Sequence, residues 1–440
     1  NPGLYYTSAG QLAAVLPSNT PLGSGTLTVT TAGGSSQIPI QVVQSALGFD
    51  AYYGTGTGLA VATDANGVLF QNNRSVSPGQ TIVLWGSGVG ADTSNTDKVF
   101  PLNQNNLTNI PLQVFIGGIQ ANISYRGRSQ FPGVDQVVVT VPGNVAPGCS
   151  VSVVAVSGNV TSNTVTLPIA AGNGTCSDAT SPVTPSQLQN LGSKNTIKFG
   201  TLSILQSTSR VGGVSTVSNI AAANFFSQPG SSFLISSNGA TSPSIGSCIL
   251  NTTIGSTGGA LPTGLDAGTI TVTGGGSSAT LQSTPLVPGA YFAQISTIPA
   301  SGATYNFNGQ GGRDVGGFGA SVLFPIPLVW TNQSSINAVT RSQGVTVNWT
   351  GGGVGTYVSI TGSSSASTSA GTVSVSFTCF ANVAAQQFTV PNSVLLALPA
   401  SSNGTLSLAN TTNPDTFTAS GLDLGYTTAS SITGITVSYQ

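Results

Sequence analysis

Hydrophobic and polar residues alternate in short runs along most of the chain, and Gly, Pro, Asn and Ser separate the runs. Alternation with a period of two puts apolar side chains on one face of a strand, and the separating residues are typical of turns. No segment shows a helical period. The pattern predicts an all-β chain, with its clearest strands at 26–30, 81–85, 112–116, 137–141, 151–156, 269–273, 345–349 and 373–377.

Short strands at regular spacing are typical of β-sandwiches, and 440 residues are too many for one. We therefore expect tandem immunoglobulin-like β-sandwiches. The predicted divisions are an incomplete immunoglobulin-like sandwich at 1–46, an immunoglobulin-like domain at 47–175, a linker at 176–186, a β-sandwich at 187–325 and a C-terminal immunoglobulin-like β-sandwich at 326–440.

An internal repeat indicates that the first sandwich is incomplete. Two similar blocks lie 125 residues apart: Gln11, Leu16-Pro17 and Gly23, then Gln136, Val141-Pro142 and Gly148. About fifty residues with strand patterns precede the second block within its domain, whereas about ten residues precede the first. The first sandwich therefore lacks strands that the second contains.

An incomplete sandwich leaves a strand edge unpaired and an apolar face uncovered. Either a strand from another molecule or an upstream part of the same polypeptide could supply what is missing. The predicted subunit-interface residues are Leu4, Tyr5, Tyr6, Leu12, Val15, Leu27 and Val29.

Charged residues are scarce, at 4% of the chain with a net charge of −1. Nine Lys and Arg cannot form the basic stripe that nucleic acid requires, so no nucleic-acid partner is expected. No apolar run approaches the length of a membrane span. The first residue is Asn rather than Met, which favours a mature or trimmed product.

Four cysteines in a chain without His favour disulfides over a metal site. We expect Cys149 to pair with Cys176 and Cys248 with Cys379, although four cysteines allow three pairings. Disulfides predict an extracellular or cell-surface location.

Catalytic groups are equally scarce, because the chain has no His and no Glu. A hydrolase would need two aspartates brought together from distant positions, and nothing in the spacing favours this. We expect no enzyme activity and no cofactor. The aspartates considered are Asp50, Asp64, Asp135, Asp266 and Asp423.

Three loops and one arginine pair have both a functional and a plain interpretation. Residues 91–98 offer oxygen ligands for Ca²⁺, but a polar loop is the favoured interpretation. Residues 86–90 and 311–317 are Gly-rich like anion-binding loops, but a turn or bulge fits better. Arg126 and Arg128 are interpreted as solvated loop residues.

Aromatic and Asn residues suggest contacts with sugars. A stacking platform could form from Trp85, Trp330, Trp349, Tyr5, Tyr6, Tyr52 and Tyr53, although core positions are the commoner role. About ten Asn-x-Ser/Thr triplets occur, and the glycosylation candidates are Asn73, Asn122, Asn251 and Asn348.

Several motifs resemble the uncharacterised C-terminal domain family of acidobacterial (Solibacter-type) secreted proteins. They are PGLY at 2–5 with Gln11 and Leu16-Pro17, VSPGQTIVLWGSGVG at 76–90, VTVP at 139–142, PGC at 147–149 and SNTVT at 162–166. The segment near 78–90 is also similar to the start of IPT/TIG immunoglobulin-like domains, which implies that 47–175 is such a domain. The resemblance implies an extracellular fold and no known activity.

Together these features predict a secreted structural subunit of an extracellular filament, pilus-like fibre or sheath. Its copies would form a homo-oligomer or homopolymer, joined partly by β-strand complementation between subunits. Low charge favours this interpretation, since little repulsion opposes the packing of identical surfaces. The alternative is a cell-surface adhesin or carbohydrate-binding module with surface glycans as partners.

Overall fold

Strands form most of the regular structure in a computed structural model, which describes residues 2–93, 104–131, 133–211, 214–236, 242–254, 262–296, 298–368 and 371–440. All eight of the predicted strands lie in or overlap observed strands. The all-β fold class is confirmed, and the immunoglobulin-like character of its sandwiches stays an expectation.

Residues before 47 form two separate two-stranded ribbons. Their strands are β1 (Gly3–Thr7), β2 (Leu12–Val15), β3 (Gly23–Thr31) and β4 (Gly34–Val42). Both ribbons are antiparallel, with Leu27 opposite Ile38 in the second. No apolar side chain of residues 2–46 is fully buried. We call residues 2–46 the N-terminal module.

Residues 47–169 form a complete sandwich around one apolar core. Its strand β9 pairs first with β8 and then with β10, so it passes from one sheet to the other. The strands are β5 (Gly48–Phe49), β6 (Ala62–Thr63), β7 (Thr81–Ser87), β8 (Leu112–Ile116), β9 (Ile119–Arg128), β10 (Asp135–Thr140), β11 (Gly148–Ser157), β12 (Val160–Thr161) and β13 (Val165–Ile169).

The rest of the chain contains the longest strands, three of them with 16 residues each, together with shorter ones. They are β14 (Thr196–Val211), β15 (Val214–Pro229), β16 (Cys248–Ile254), β17 (Thr263–Gly264), β18 (Ile270–Gly274), β19 (Ser277–Thr284), β20 (Val287–Gln294), β21 (Ala303–Gly309), β22 (Phe318–Phe324), β23 (Leu328–Trp330), β24 (Ala338–Val339), β25 (Val345–Gly351), β26 (Thr356–Thr368), β27 (Gly371–Asn382), β28 (Gln387–Val390), β29 (Ser401–Thr412), β30 (Asp415–Phe417) and β31 (Leu424–Tyr439).

One large sheet runs through this part of the chain, in the order β16-β27-β26-β29-β31-β14-β15-β20-β19-β18-β21-β22. The predicted division at residue 325 separates strands that hydrogen-bond to each other in this sheet. Two apolar cores still lie on either side of the division. Each takes residues from across it, since the first core includes Phe417 and Ala429 and the second includes Cys248 and Leu250.

Within the described ranges, three short α-helices interrupt the strands. They are α1 (Pro185–Gly192), α2 (Gly230–Ile235) and α3 (Asn392–Leu395). None was predicted from the sequence, because no helical period was found in it. The signal for α1 was local, because Thr184 and Gln187 form a capping box and Pro185 begins the helix. Among the described residues, no helix has the length and apolar character needed to cross a bilayer.

The structure contains the two expected disulfides, Cys149–Cys176 and Cys248–Cys379. The first closes a separation of 27 residues and ties the predicted linker to β11. The second closes 131 residues, and its cysteines lie directly opposite each other on β16 and β27. Both bonds are typical of proteins outside the cytoplasm.

Asp178 joins the complete sandwich to the C-terminal half of the chain. Its carboxylate accepts hydrogen bonds from the Cys149 N–H at 2.8 Å and the Ser244 hydroxyl at 2.9 Å. Ser244 also exchanges hydrogen bonds with Ser150 of β11. Burial raises the pKa of Asp178, and these donors only partly oppose the rise.

The raised pKa predicts how Asp178 affects stability with pH. A folded state that holds the proton more tightly than the unfolded state loses stability as pH rises from the unfolded pKa through the folded one. We expect Asp178→Asn to remove this loss of stability with rising pH. Between pH 3 and pH 7, the melting temperature of the variant should therefore rise relative to that of the natural protein.

Asp423→Asn is the matched control, with the opposite sign. Burial raises the pKa of Asp423, but hydrogen bonds from Lys194 and the Lys198 N–H outweigh it, so the pKa is lowered overall. The melting temperature of this variant should fall relative to the natural protein as pH rises. If the melting temperatures of both variants changed in the same direction with pH, relative to the natural protein, the opposite pKa shifts of Asp178 and Asp423 would be contradicted.

Candidate functional site

The repeat seen in the sequence appears in the structure as matching strands. β2 corresponds to β10, and β3 and β11 begin at the repeat-related residues Gly23 and Gly148. In the complete sandwich β10 pairs with both β7 and β9, and β11 pairs with both β8 and β13. In the N-terminal module β2 pairs only with β1, and β3 only with β4, among the described strands. The counterparts of β7 and β8 are therefore the missing strands.

The β3–β4 hairpin has one apolar face and one polar face. Residues directly opposite in an antiparallel pair lie on the same side of the sheet. The apolar side, here called the open face, consists of Leu27, Val29, Ile38, Ile40 and Val42. On the polar side, the Ser24 hydroxyl donates to Gln41 and the Thr30 and Ser35 hydroxyls share a hydrogen bond.

Exposure differs sharply between the two copies of the repeat. Ile38 is 53% exposed, and the other side chains of the open face are half-buried. The IPI run around Ile38 matches the LPI run around Leu167, where Leu167 and Ile169 are 0% exposed. Similar residues in the same strand order are thus fully covered in one copy and only partly covered in the other.

The two outer edges of the hairpin are not equivalent. Proline lacks an N–H and sits in a sheet only where its nitrogen faces away from the neighbouring strand. Pro39 therefore interrupts the outer edge of β4 and makes its pair with Thr26 a non-hydrogen-bonded one. By alternation, the N–H and C=O groups of Thr28 also point to the outer edge of β3. That edge carries no Pro and no charge, so it can accept another strand.

The seven predicted interface residues lie in both ribbons rather than on one surface. Leu27 and Val29 belong to the open face, and Val15 is half-buried on β2. The four others are exposed on the first ribbon: Leu4, Tyr5, Tyr6 and Leu12. Whether they form a subunit interface stays a prediction.

Sequence reasoning missed Ile38, Ile40 and Val42 of the open face. The alternation in QIPIQV at 37–42 was the available signal, although a proline within a run weakens the indication of a strand. The structure shows that the run is a strand whose proline lies on an outer edge.

A cleft of about 570 Å³ separates the N-terminal module from the complete sandwich. Leu16, Leu22 and Ile40 line it from the module, and Ile110 and Asp135 line it from the sandwich. The walls are mainly apolar and the Asp135 carboxylate is already bonded within the sandwich, so the cleft offers packing surface more than chemistry.

Asp135 explains the glycine-rich run at 86–90. Its carboxylate accepts the N–H groups of Gly88 and Val89 at 2.8 Å each and pairs with Arg128 at 2.7 Å. Gly88 has a φ of +93°, which suits glycine in such a turn. The run is therefore a turn, as favoured, and the anion that it binds is a side chain of the same protein.

The interpretation of Arg126 and Arg128 as solvated loop residues is wrong. Both lie on β9, and the Arg128 side chain is 11% exposed. Arg126 donates from Nη1 to the Ile110 carbonyl at 2.9 Å. Sequence did not show this, because Ile110 and Asp135 meet these arginines only once β9 has paired with its neighbours.

Only Asp50 and Asp135 of the five candidate aspartates come near each other: burial, and then the charge of Asp135, raise the pKa of Asp50. The Asp135 carboxylate is bonded to Arg128 and to backbone N–H groups, and the other candidates lie elsewhere. Asp64 pairs with Arg74 at 2.6 Å and Asp423 with Lys194 at 2.5 Å. Asp266 lies beside Asp314, which pairs with Arg313 within the second glycine-rich run. Among the described residues, no three acids, His or Cys are grouped as metal ligands. Most of the proposed calcium loop, from residue 94 to 98, lies outside the described residues.

Two of the tryptophans are core residues rather than a sugar platform. Trp330 and Trp349 are opposite each other on β23 and β25 and are 7% and 1% exposed. Trp85 is half-buried and donates to the Thr63 hydroxyl at 3.0 Å. The two remaining tyrosines, Tyr52 and Tyr53, contact each other edge to face.

The glycosylation candidates differ in accessibility. Asn73 and Asn122 are exposed. Asn251 is half-buried on β16, which pairs with β27, and Asn348 is half-buried on β25, which pairs with β28. Glycosylation at these residues stays a prediction.

No family model matches the chain, and no curated protein matches it. Among solved structures, it is similar to a Bacteroides ovatus mixed-linkage glucan utilization locus protein, SGBP-B, in complex with a mixed-linkage heptasaccharide. Identity is 10%, coverage is 87% of this chain and 84% of that one, and the TM-score is 0.19.

Two further structures show similarities of the same order. For titin I67–I69 the identity is 8%, the coverage is 82% of this chain and 95% of that one, and the TM-score is 0.12. For surface layer protein SbsC, domains 4–9, the identity is 14%, the coverage is 95% of this chain and 54% of that one, and the TM-score is 0.14. Likeness at these TM-scores carries no argument about function.

The exposure contrast between the two repeats can be tested by paired truncations. Leu167→Ala should destabilise the complete sandwich by about 2–5 kcal/mol, because it leaves a cavity in a packed core. Ile38→Ala should leave the melting transitions of the unassembled protein in place, because the side chain is already exposed. Scanning calorimetry of both variants makes the comparison.

An equal loss of stability in the two variants would contradict this picture. It would mean that the open face is already covered within a single chain.

Proposed function

We propose that this chain is a secreted structural protein of an extracellular filament or sheath, whose copies join by adding a strand to the N-terminal module. The observation that carries the proposal is the pair of repeats: the apolar side chains of the same strands are fully buried in one and half-buried or exposed in the other. A two-stranded ribbon is at best marginally stable in water, so the module gains most from added strands.

The outer edge of β3 is the place where the added strand pairs. In the complete sandwich the equivalent edge of β11 pairs with β8 from Val153 to Ser157. The match of Ile38 with Leu167 aligns Leu27 with Val151 through their strand pairs, so the corresponding stretch of the module begins at Val29. A strand bound there would place alternate side chains over the open face, as β8 does in its own sheet.

A second uncharged edge lies at the far end of the large sheet. β22 pairs only with β21 among the described strands, and it contains neither a charged residue nor a proline. Its side chain Leu323 is 63% exposed. Pairing of β22 in one copy with β3 in the next joins two different surfaces, and such contacts repeat into open fibres when they do not close.

Composition supports close packing of identical copies. With 4% charged residues and a net charge of −1, little electrostatic repulsion opposes contact between like surfaces. Both disulfides fit assembly outside the cytoplasm. Backbone hydrogen bonds and apolar contacts would then carry the assembly.

The assembly can be tested with two proline variants placed opposite each other. Thr28→Pro removes an N–H from the outer edge of β3, and Gln37→Pro removes one from the outer edge of β4, which Pro39 already interrupts. We expect filaments in negative-stain microscopy for the natural protein and for Gln37→Pro, but not for Thr28→Pro. Leu323→Lys, which adds a charge to β22, should also prevent them.

Light scattering at micromolar concentration is the second measurement. A natural protein that stays monodisperse and monomeric would contradict the proposal. Equal assembly of the two proline variants would show that any filament forms through another surface.

A further inference from the structure

The first and last strands of the C-terminal half lie side by side. β14 pairs in parallel with β31, from Phe199 opposite Leu424 to Ser209 opposite Gly434. β14 enters this half from the linker at Thr196, and β31 leaves it at Tyr439. Tension along the chain therefore enters at one end of the parallel pair and leaves at the other.

This geometry loads the strand pair in shear. When two parallel strands are pulled from opposite ends, the interstrand hydrogen bonds are stretched together, whereas pulling from the same end breaks them one after another. The bonds of a parallel pair are evenly spaced, so the load is shared along the paired length. A shear-loaded pair resists a larger force than the same pair opened from one end.

Neighbouring elements hold both strands in place. β31 pairs on its other edge with β29, from Ser401 opposite Tyr439 to Thr411 opposite Ser430. β14 pairs over its whole length with β15. Buried side chains such as Leu202, Ile204 and Ala429 fix the pair against one core. Sliding of β31 past β14 would disrupt all of these contacts at once.

The Cys248–Cys379 bond adds a covalent path for tension. It joins β16 to β27 and closes a separation of 131 residues. Force that reaches Cys248 passes through the disulfide to Cys379, so the residues between them are not extended. Only the segments outside the bond lengthen when this half of the chain unfolds under load.

From these features we infer that the C-terminal half is a force-bearing element, in which shear of β14 against β31 carries tension and the Cys248–Cys379 bond withholds the enclosed segment from extension. The inference rests on the strand order within one chain. It does not depend on the proposed assembly, and it holds or fails in a single molecule.

Single-molecule pulling on the full chain tests the shear geometry. One handle is attached at the N-terminus in both arrangements. The other is attached either at the C-terminus or at an azido side chain replacing the exposed Thr418, which precedes β31. The first arrangement shears the pair, and the second pulls β14 and β31 from the same end.

We expect a rupture force severalfold higher with the C-terminal handle at the same loading rate. The event is recognised by its extension, the length of the segments outside the disulfide at about 3.5 Å per residue: about 400 Å with the C-terminal handle and about 320 Å with the handle at Thr418. Equal rupture forces in the two arrangements would overturn the shear mechanism.

Removing each disulfide separately tests the covalent path. Replacing Cys248 and Cys379 together by Ala should lengthen the extension of this half by about 450 Å, since 131 further residues become extensible. Replacing Cys149 and Cys176 together by Ala is the control, and should add only about 90 Å for its 27 residues. An unchanged extension in the first variant would overturn this part of the inference, whether or not the protein forms filaments.

Discussion

Pairing of strand edges is the constraint on which the whole structure depends. Every strand presents backbone N–H and C=O groups on two edges, and a protein usually protects exposed edges with charged side chains or proline. With 4% charged residues, this chain has few charges to place there. It satisfies its edges instead by extending one sheet through the C-terminal half and by closing a sandwich in residues 47–169. In the N-terminal module, by contrast, each described strand pairs with one other strand and leaves its outer edge without a partner strand.

The same constraint links the two cores of the C-terminal half. Because β31 lies between β29 and β14, the last strand of the chain belongs to both cores at once. Separate domains could move relative to one another, but a shared strand prevents this without breaking backbone hydrogen bonds. The disulfide between β16 and β27 adds a covalent tie at one end of the same sheet. Low charge and continuous pairing thus make this half mechanically continuous.

Local signals could be read from the sequence wherever the partners were near in the chain. Alternation gave the predicted strands, and the repeat revealed which strands the N-terminal module lacks. The capping box at Thr184 could have revealed α1 in the same way. Contacts between distant segments could not be read, and Asp135 is the clearest case. Its partners Arg128, Gly88 and Val89 come together only after β7, β9 and β10 have paired.

The sequence by itself therefore determined the all-β class and the scarcity of proton-carrying groups, because these follow from composition and short-range periodicity. Tertiary structure alone decided that β14 and β31 are parallel neighbours, that the open face lies on β3 and β4, and that the strands on either side of residue 325 share a sheet. The physical reason is that any strand edge can pair with many others, and the choice among them is made by packing of the whole chain.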